Sequence, residues 1–91
     1  MKGKRTLYEI YWEILTYCRS PKTFTSIIHR CSLNSDIGQE HIEFLLSRDF
    51  LNRYEEEGGK LFKTTEKARG FLDSFRDMYI EVYRKSPEFK L

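Results

Sequence analysis

Apolar positions along the chain fall into five blocks whose spacing changes twice. Leu7, Ile10, Tyr11, Ile14, Leu15 and Cys18 recur at three- and four-residue steps, which predicts a helix over 7–19. Thr6 followed by Glu9 supplies a capping box at its start, and Ser20-Pro21 stops it. Phe24, Ile27, Ile28 and Cys31 mark a short second helix, capped by Thr23 or Thr25. After the turn Ser32-Leu33-Asn34, a third helix begins at Asn34 or Ser35, with the stripe Ile37, Ile42, Leu45 and Leu46 and with Phe44 on its flank. Two short helices joined by a tight turn make a helix-turn-helix.

At Phe50 the period shifts from helical to alternating. Residues 50–55 and 60–64 read as two short strands, and Gly58-Gly59 supplies the positive backbone angles of a tight hairpin. A last helix starts near Thr64 or Thr65 and carries Phe71, Phe75, Met78 and Val82 at steps of four, three and four, with Leu72, Tyr79 and Tyr83 beside them. About twenty helical residues span roughly 30 Å, more than a small core covers from one side. A second copy is therefore expected against this helix. Its seam is Phe71, Phe75, Met78, Tyr79 and Val82, and Tyr8 and Trp12 cover the partner's terminal helix. The fold class is mainly α with a small β-hairpin, a winged helix-turn-helix with a long C-terminal dimerisation helix. Residues 1–85 form the single domain, 64–85 its terminal helix and 86–91 a loosely held tail.

Composition narrows the function. At 91 residues the chain has room for one domain and a modest core, not for a roomy catalytic cleft. Glu9 and Glu13 interrupt the apolar residues after the basic N-terminus, so no signal peptide is expected, and no stretch approaches a membrane span of about 20 apolar residues. The formal charge of +2 hides a pattern. Through Asn34, six basic residues face two acidic ones; from Ser35 to Gly59, two face seven; from Lys60 onward, eight face five. The middle is acidic and both ends are basic.

Other chemistry is sparse. Cys18, Cys31, His29 and His41 lack the C-x-x-C spacing of structural zinc sites, so neither a metal nor another cofactor is expected. The cysteines close the apolar stripes of the first two helices, where free Cys is usually buried, and spacing alone leaves a disulfide between them open. His41 is expected to pack at a helix edge, with a pH switch as the lesser reading. No Gly-rich phosphate loop, nucleophile elbow or catalytic carboxylate pair is present, and the chain is not expected to be an enzyme. Tyr8, Tyr11, Trp12 and Tyr17 fall on nearly every side of the first helix, which fits core and dimer packing better than a platform for stacking single-stranded bases.

The stretch CSLNSDIGQEHIEFLLSRDFLNRYEEEGGKLFKTTEKARGFL resembles archaeal winged-helix proteins that include small Sulfolobus chromatin-type DNA-binding proteins and transcription regulators of archaeal viruses. Leu33-Asn34, Leu45-Leu46, Phe50-Leu51 and Thr65-Glu66-Lys67 stand where that family has a Leu-Asn turn, a double leucine ending the third helix, a Gly-Leu entry to the wing and a Thr-Glu-Lys run after it. Two positions depart. Asp49 replaces a glycine after the third helix, where Asp tolerates a left-handed backbone at some cost, and Ala68 replaces a glycine early in the last helix. The resemblance implies a homodimer that binds double-stranded DNA, in the cytoplasm of an archaeon, nucleoid-associated, or in the host cytoplasm if the protein is viral.

On a helix-turn-helix the second helix of the motif enters the major groove and its N-terminal residues reach base edges, here Ser35, Asp36, Gly38, Gln39 and Glu43. Gln39 can pair bidentately with adenine and an acidic side chain can accept from cytosine N4. Equally, Asp36, Glu40 and Glu43 make an ordinary solvated face. Backbone contacts are expected from Lys2, Lys4 and Arg5 as an arm, from Lys22, Thr25 and Arg30 at the second helix, and from Arg53, Lys60 and Lys63 on the hairpin. Glu55, Glu56 and Glu57 at the hairpin tip argue against insertion of that tip into the minor groove. They leave an alternative in which the acidic third helix and wing tip make the chain a protein-interaction adaptor.

Overall fold

The computed structural model describes residues 4–90, so the Lys2 of the expected arm and the terminal Leu91 lie outside the described residues. Helix α1 (Leu7–Tyr17) opens on the expected capping box: the Thr6 hydroxyl accepts from the Glu9 amide while the Glu9 carboxylate accepts from the Thr6 amide. Helix α2 (Phe24–Arg30) is capped by Thr23, and α3 (Ser35–Ser47) by Asn34, whose side-chain oxygen accepts from the Ile37 amide at 2.9 Å. Asp49 leaves α3 with φ 62°, the left-handed conformation anticipated for it. Strands β1 (Leu51–Glu56) and β2 (Gly59–Thr64) pair antiparallel from Leu51 opposite Thr64 to Glu56 opposite Gly59, turning through Gly58 at φ 89°. A 3-10 turn (Glu66–Ala68) then leads into α4 (Arg69–Tyr83). The terminal helix is thus shorter than expected, because its first turn winds tightly to place Ala68 in the core at 0% exposure.

Ile14, Leu15 and Cys18 of α1, Ile27 and Cys31 around α2, Ile42 and Leu45 of α3, Leu51 and Phe62 of the hairpin, and Leu72 of α4 close into one core. Ile37 was expected in that stripe but is 44% exposed, since it lies on the side of α3 turned away from Ile42 and Leu45. The hairpin is tied to the body at its base. Lys22, between α1 and α2, pairs with Phe62 like a third strand, with amide-to-carbonyl bonds of 3.0 and 2.8 Å. Thr64 adds two bonds to α1, its amide to the Cys18 carbonyl and its hydroxyl to the Leu15 carbonyl.

A buried carboxylate gathers both ends of the described chain. Glu13 of α1, 1% exposed, accepts from Arg5 Nη1 at 2.6 Å through one oxygen and from the Lys90 amide at 3.0 Å through the other. The same guanidinium donates to the carbonyls of Cys31 and Ser32, closing the C-terminus of α2, where the helix dipole favours a cation. Arg84, left-handed at φ 62°, turns the chain after α4, and the segment read from sequence as a loose tail lies along α1. There Phe89 sits 5.5 Å from the Trp12 ring and Lys90 Nζ lies 2.8 Å from Glu9. Burial works against charge on Glu9, but the bonds from Lys90 and Thr6 win and hold its carboxyl below the usual range.

Replacing Glu13 with Ala strands the Arg5 guanidinium in a buried site. The variant is expected to lose about 3–5 kcal/mol of stability in urea unfolding. A loss under about 1 kcal/mol would show that the pair does not hold α1 to α2.

Candidate nucleic-acid interface

Helix α3 is sided by its sequence. Gly38, Ile42 and Leu45 face inward, and Ser35, Asp36, Gln39, Glu40, Glu43 and Ser47 occupy an exposed polar arc. Gly38, expected among the base-reading positions, belongs to the packed side. A Cβ there would meet Ile28 Cγ2 of α2 at 2.6 Å, so the absent side chain sets how closely the two helices of the motif cross. On the arc, Gln39 Nε2 donates to Glu43 Oε2 at 2.7 Å. Because a carboxylate only accepts, the Gln39 amino group must face it; the Gln39 oxygen, one remaining amide hydrogen and the second Glu43 oxygen stay free to meet a partner.

The hairpin splits its cations between two faces. Pleating puts Arg53 and Lys60 on the face that carries Leu51 and Phe62, and puts Lys63 on the other. Glu55 lies directly opposite Lys60, so one of the three tip glutamates balances a wing cation across the strands. Lys63 instead borders a polar groove with Arg19, Arg69 and Arg76, three arginines that the reading of sequence did not group with it. No linear motif joins positions 19, 63, 69 and 76; only the packing of α1, β2 and α4 does.

The remaining expected contacts are scattered. Lys4 is exposed ahead of α1, Thr25 on the first turn of α2 and Ser35 on the first turn of α3. Lys22 Nζ lies 4.6 Å from the Tyr17 ring centre and bonds Ser20. The Arg30 guanidinium sits 3.8 Å over the Phe89 ring, engaged by the C-terminal segment. Arg5 is withdrawn from any arm, its side chain 6% exposed and committed to Glu13 and the end of α2.

The expected dimer seam is also redistributed. Phe75 and Tyr79 are each 5% exposed within one chain, and Trp12 stacks on its own Phe75 with ring centres 6.0 Å apart. Phe71 is half-buried against Phe50. What α4 and α1 leave uncovered is Met78 at 54%, Val82 at 61%, Tyr83 at 57%, Ile80, Leu7 and Tyr8. Beside them an apolar cavity of about 370 Å³ is lined by Leu7, Tyr8, Tyr11, Phe44, Leu45, Arg48, Phe50 and Phe71.

Residues 4–82 match the profile of the winged helix-turn-helix family. The chain belongs to that family. Among solved structures, this winged-helix chain is similar to Sso10a-2, a DNA-binding protein from Sulfolobus solfataricus, at 24% identity and a TM-score of 0.74, over 88% of this chain and 87% of that one. It is similar to F93 from STIV, a winged-helix DNA-binding protein, at 19% identity and 0.68, over 90% and 96%. Its likeness to the transcriptional regulator BldR from Sulfolobus solfataricus, at 14% and 0.69, covers 84% of this chain and 60% of the other. No curated protein sequence matches the chain. These structural likenesses establish the winged-helix fold.

Among the described residues of this winged helix no cluster of three His, Cys, Asp or Glu is placed to hold a metal ion, and no helix is long and apolar enough to cross a membrane. Cys18 and Cys31 are free thiols, both fully buried, and burial first of all pushes each up to about 12, so neither ionises near neutral pH. His41 packs edge-on against Tyr11, with ring centres 5.5 Å apart, and burial lowers its pKa.

Gly38→Ala is expected to destabilise the fold by about 1–3 kcal/mol through the clash with Ile28. Thermal unfolding of the double substitution with Ile28→Ala checks the cause: the pair should cost less than the sum of its parts, whereas simple additivity would place the strain elsewhere.

Proposed function

We propose that the protein is a homodimeric regulator that binds double-stranded DNA, with α3 in the major groove and the wing and the residues ahead of α1 on the backbone. The observation that carries this reading is the exposed arc of α3. A helix that buries Gly38, Ile42 and Leu45 and turns Ser35, Gln39 and Glu43 outward presents hydrogen-bonding groups on a rigid support, as base-edge recognition requires. The Gln39–Glu43 pair adds chemical preference. Its acceptors suit the amino groups of adenine N6 and cytosine N4, and the spare Gln39 hydrogen suits adenine N7. Acidic groups on α3 repel phosphate, so affinity rests on cations around it, Arg53 and Lys60 on the wing face, Lys22 by α2 and Lys4 ahead of α1, with the Thr25 hydroxyl as a neutral donor to phosphate. Arg5 has no part in this, being spent on Glu13.

A second copy is proposed against the uncovered side of α4. Met78, Val82 and Tyr83, with Leu7 and Tyr8 of α1, form the apolar surface that a single chain leaves in water. Phe71 reaches this surface only in part, and Phe75, Tyr79 and Trp12 support it from beneath.

Fluorescence anisotropy of labelled random duplex DNA, titrated between 50 and 200 mM salt, tests the first claim. Binding should weaken linearly on logarithmic axes, and Arg53→Ala and Lys60→Ala should each flatten the slope by about one. Gln39→Ala should leave that slope alone and relax preference among selected sequences. Failure to bind duplex even at low salt would sink the reading in favour of a protein partner for the acidic surface. For the dimer, Met78→Glu with Val82→Glu should sediment as a monomer that keeps its helical circular dichroism, with unfolding that no longer depends on protein concentration; a double variant that stays dimeric would refute the placement of the seam.

A further inference from the structure

The groove bordered by Lys63 has no role in the reading above, which uses the opposite face of the hairpin. It encloses about 660 Å³ between the end of α1, the base of β2 and the start of α4. Its charged lining is Arg19, Lys63, Arg69 and Arg76 against Glu66 and Asp73, a balance of +2 that equals the formal charge of the whole chain. Both acids are local partners on the same helical segment as the arginines. Arg69 lies 3.9 Å from Glu66, and Arg76 lies 3.8 Å from Asp73 and 3.2 Å from Asp77, all in pairs exposed to water. Such pairs are loose and yield to a stronger anion.

Lining chemistry restricts the ligand. Leu72 is the one apolar side chain bordering the groove, and no aromatic ring faces it, so a base has nothing to stack on. Guanidinium and ammonium groups bordering one groove from separate elements suit tetrahedral oxyanions carrying more than one charge, which an arginine fork grips bidentately. We infer that the groove formed by Arg19, Lys63, Arg69 and Arg76 is a second anion site that takes closely spaced phosphates, supplied either by the sugar-phosphate backbone of a DNA segment other than the one read by α3 or by a free oligophosphate. Only the first source rests on the DNA-binding function proposed above. Because Lys63 points away from the face carrying Arg53 and Lys60, a backbone held here belongs to flanking DNA bent around the wing or to a second duplex.

The test compares two double variants of equal charge. Arg19→Gln with Arg69→Gln empties the groove of two cations, and Lys67→Gln with Lys85→Gln removes two exposed lysines outside it. Inorganic tripolyphosphate and a labelled duplex are each titrated into wild type and both variants, with binding followed by anisotropy for the duplex and by NMR of arginine and lysine side chains for both ligands. Tripolyphosphate that moves the Arg19, Lys63 and Arg69 signals saturably, and binds the groove variant at least tenfold more weakly than the control variant, supports the site for free oligophosphate. A duplex whose salt slope falls by about two in the groove variant but stays at the wild-type slope in the control supports the backbone source. If neither ligand moves the groove signals, or both variants lose equally with both ligands, the inference is overturned. Duplex binding that persists with silent groove signals would keep the DNA-binding function while removing this site, and tripolyphosphate binding without duplex binding would do the reverse.

Discussion

A two-stranded hairpin has no independent stability in water, so the wing of this protein stands only because its base is bonded to the helical body. Lys22 and Phe62 exchange two backbone bonds, and Thr64 ties itself to α1 through both its amide and its hydroxyl. These bonds set the wing's angle to α1 and, through the short step from Lys22 to the Thr23 cap, the start of the helix-turn-helix. Phe62 then buries its ring with Leu51, Ile27 and Ile42 in the shared core. The hairpin and α3 are thereby joined to the same packed core, which fixes their spacing.

Charge is arranged around the same frame. One carboxylate, Glu13, is taken out of solvent and satisfied by Arg5 and by the Lys90 backbone, which draws the segments before α1 and after α4 onto one helix. The cost of burying that charge is met by complete pairing, and the result is order in segments that sequence gives no reason to think ordered. Phe89 extends this arrangement by filling the space between Trp12 and Arg30. Surface cations are meanwhile divided by the pleat of the wing, with Arg53 and Lys60 on the side of the core and Lys63 turned to the groove by α4. A chain with small net charge can in this way carry distinct basic surfaces beside an acidic α3.

The order of elements, the capping box at Thr6, a cap at Thr23 or Thr25 and another at Asn34 or Ser35, and a hairpin turning at Gly58-Gly59 were legible in the sequence, because each depends on residues within a few positions of one another. The left-handed Asp49 was legible through the resemblance to a family that carries glycine there. Helix period, strand alternation and capping are local physics, and they determined this protein's winged helix-turn-helix from the chain alone. The polar arc of α3 was legible for the same reason. Tertiary structure decided the rest, because it concerns contacts between positions far apart in sequence. Arg5 reads as a free basic arm until Glu13, Cys31 and Ser32 are brought to it; Trp12 and Phe75 read as a surface for a partner until they stack on each other; Gly38 reads as a groove-facing residue until Ile28 is 2.6 Å from where its Cβ would be. Arg84 turns the chain back with no glycine to announce it, and the four cations of the groove come from three elements that only the packed core makes neighbours. Which side chains are spent inside the molecule and which remain for a partner is a property of packing, and periodicity along one chain carries no record of it.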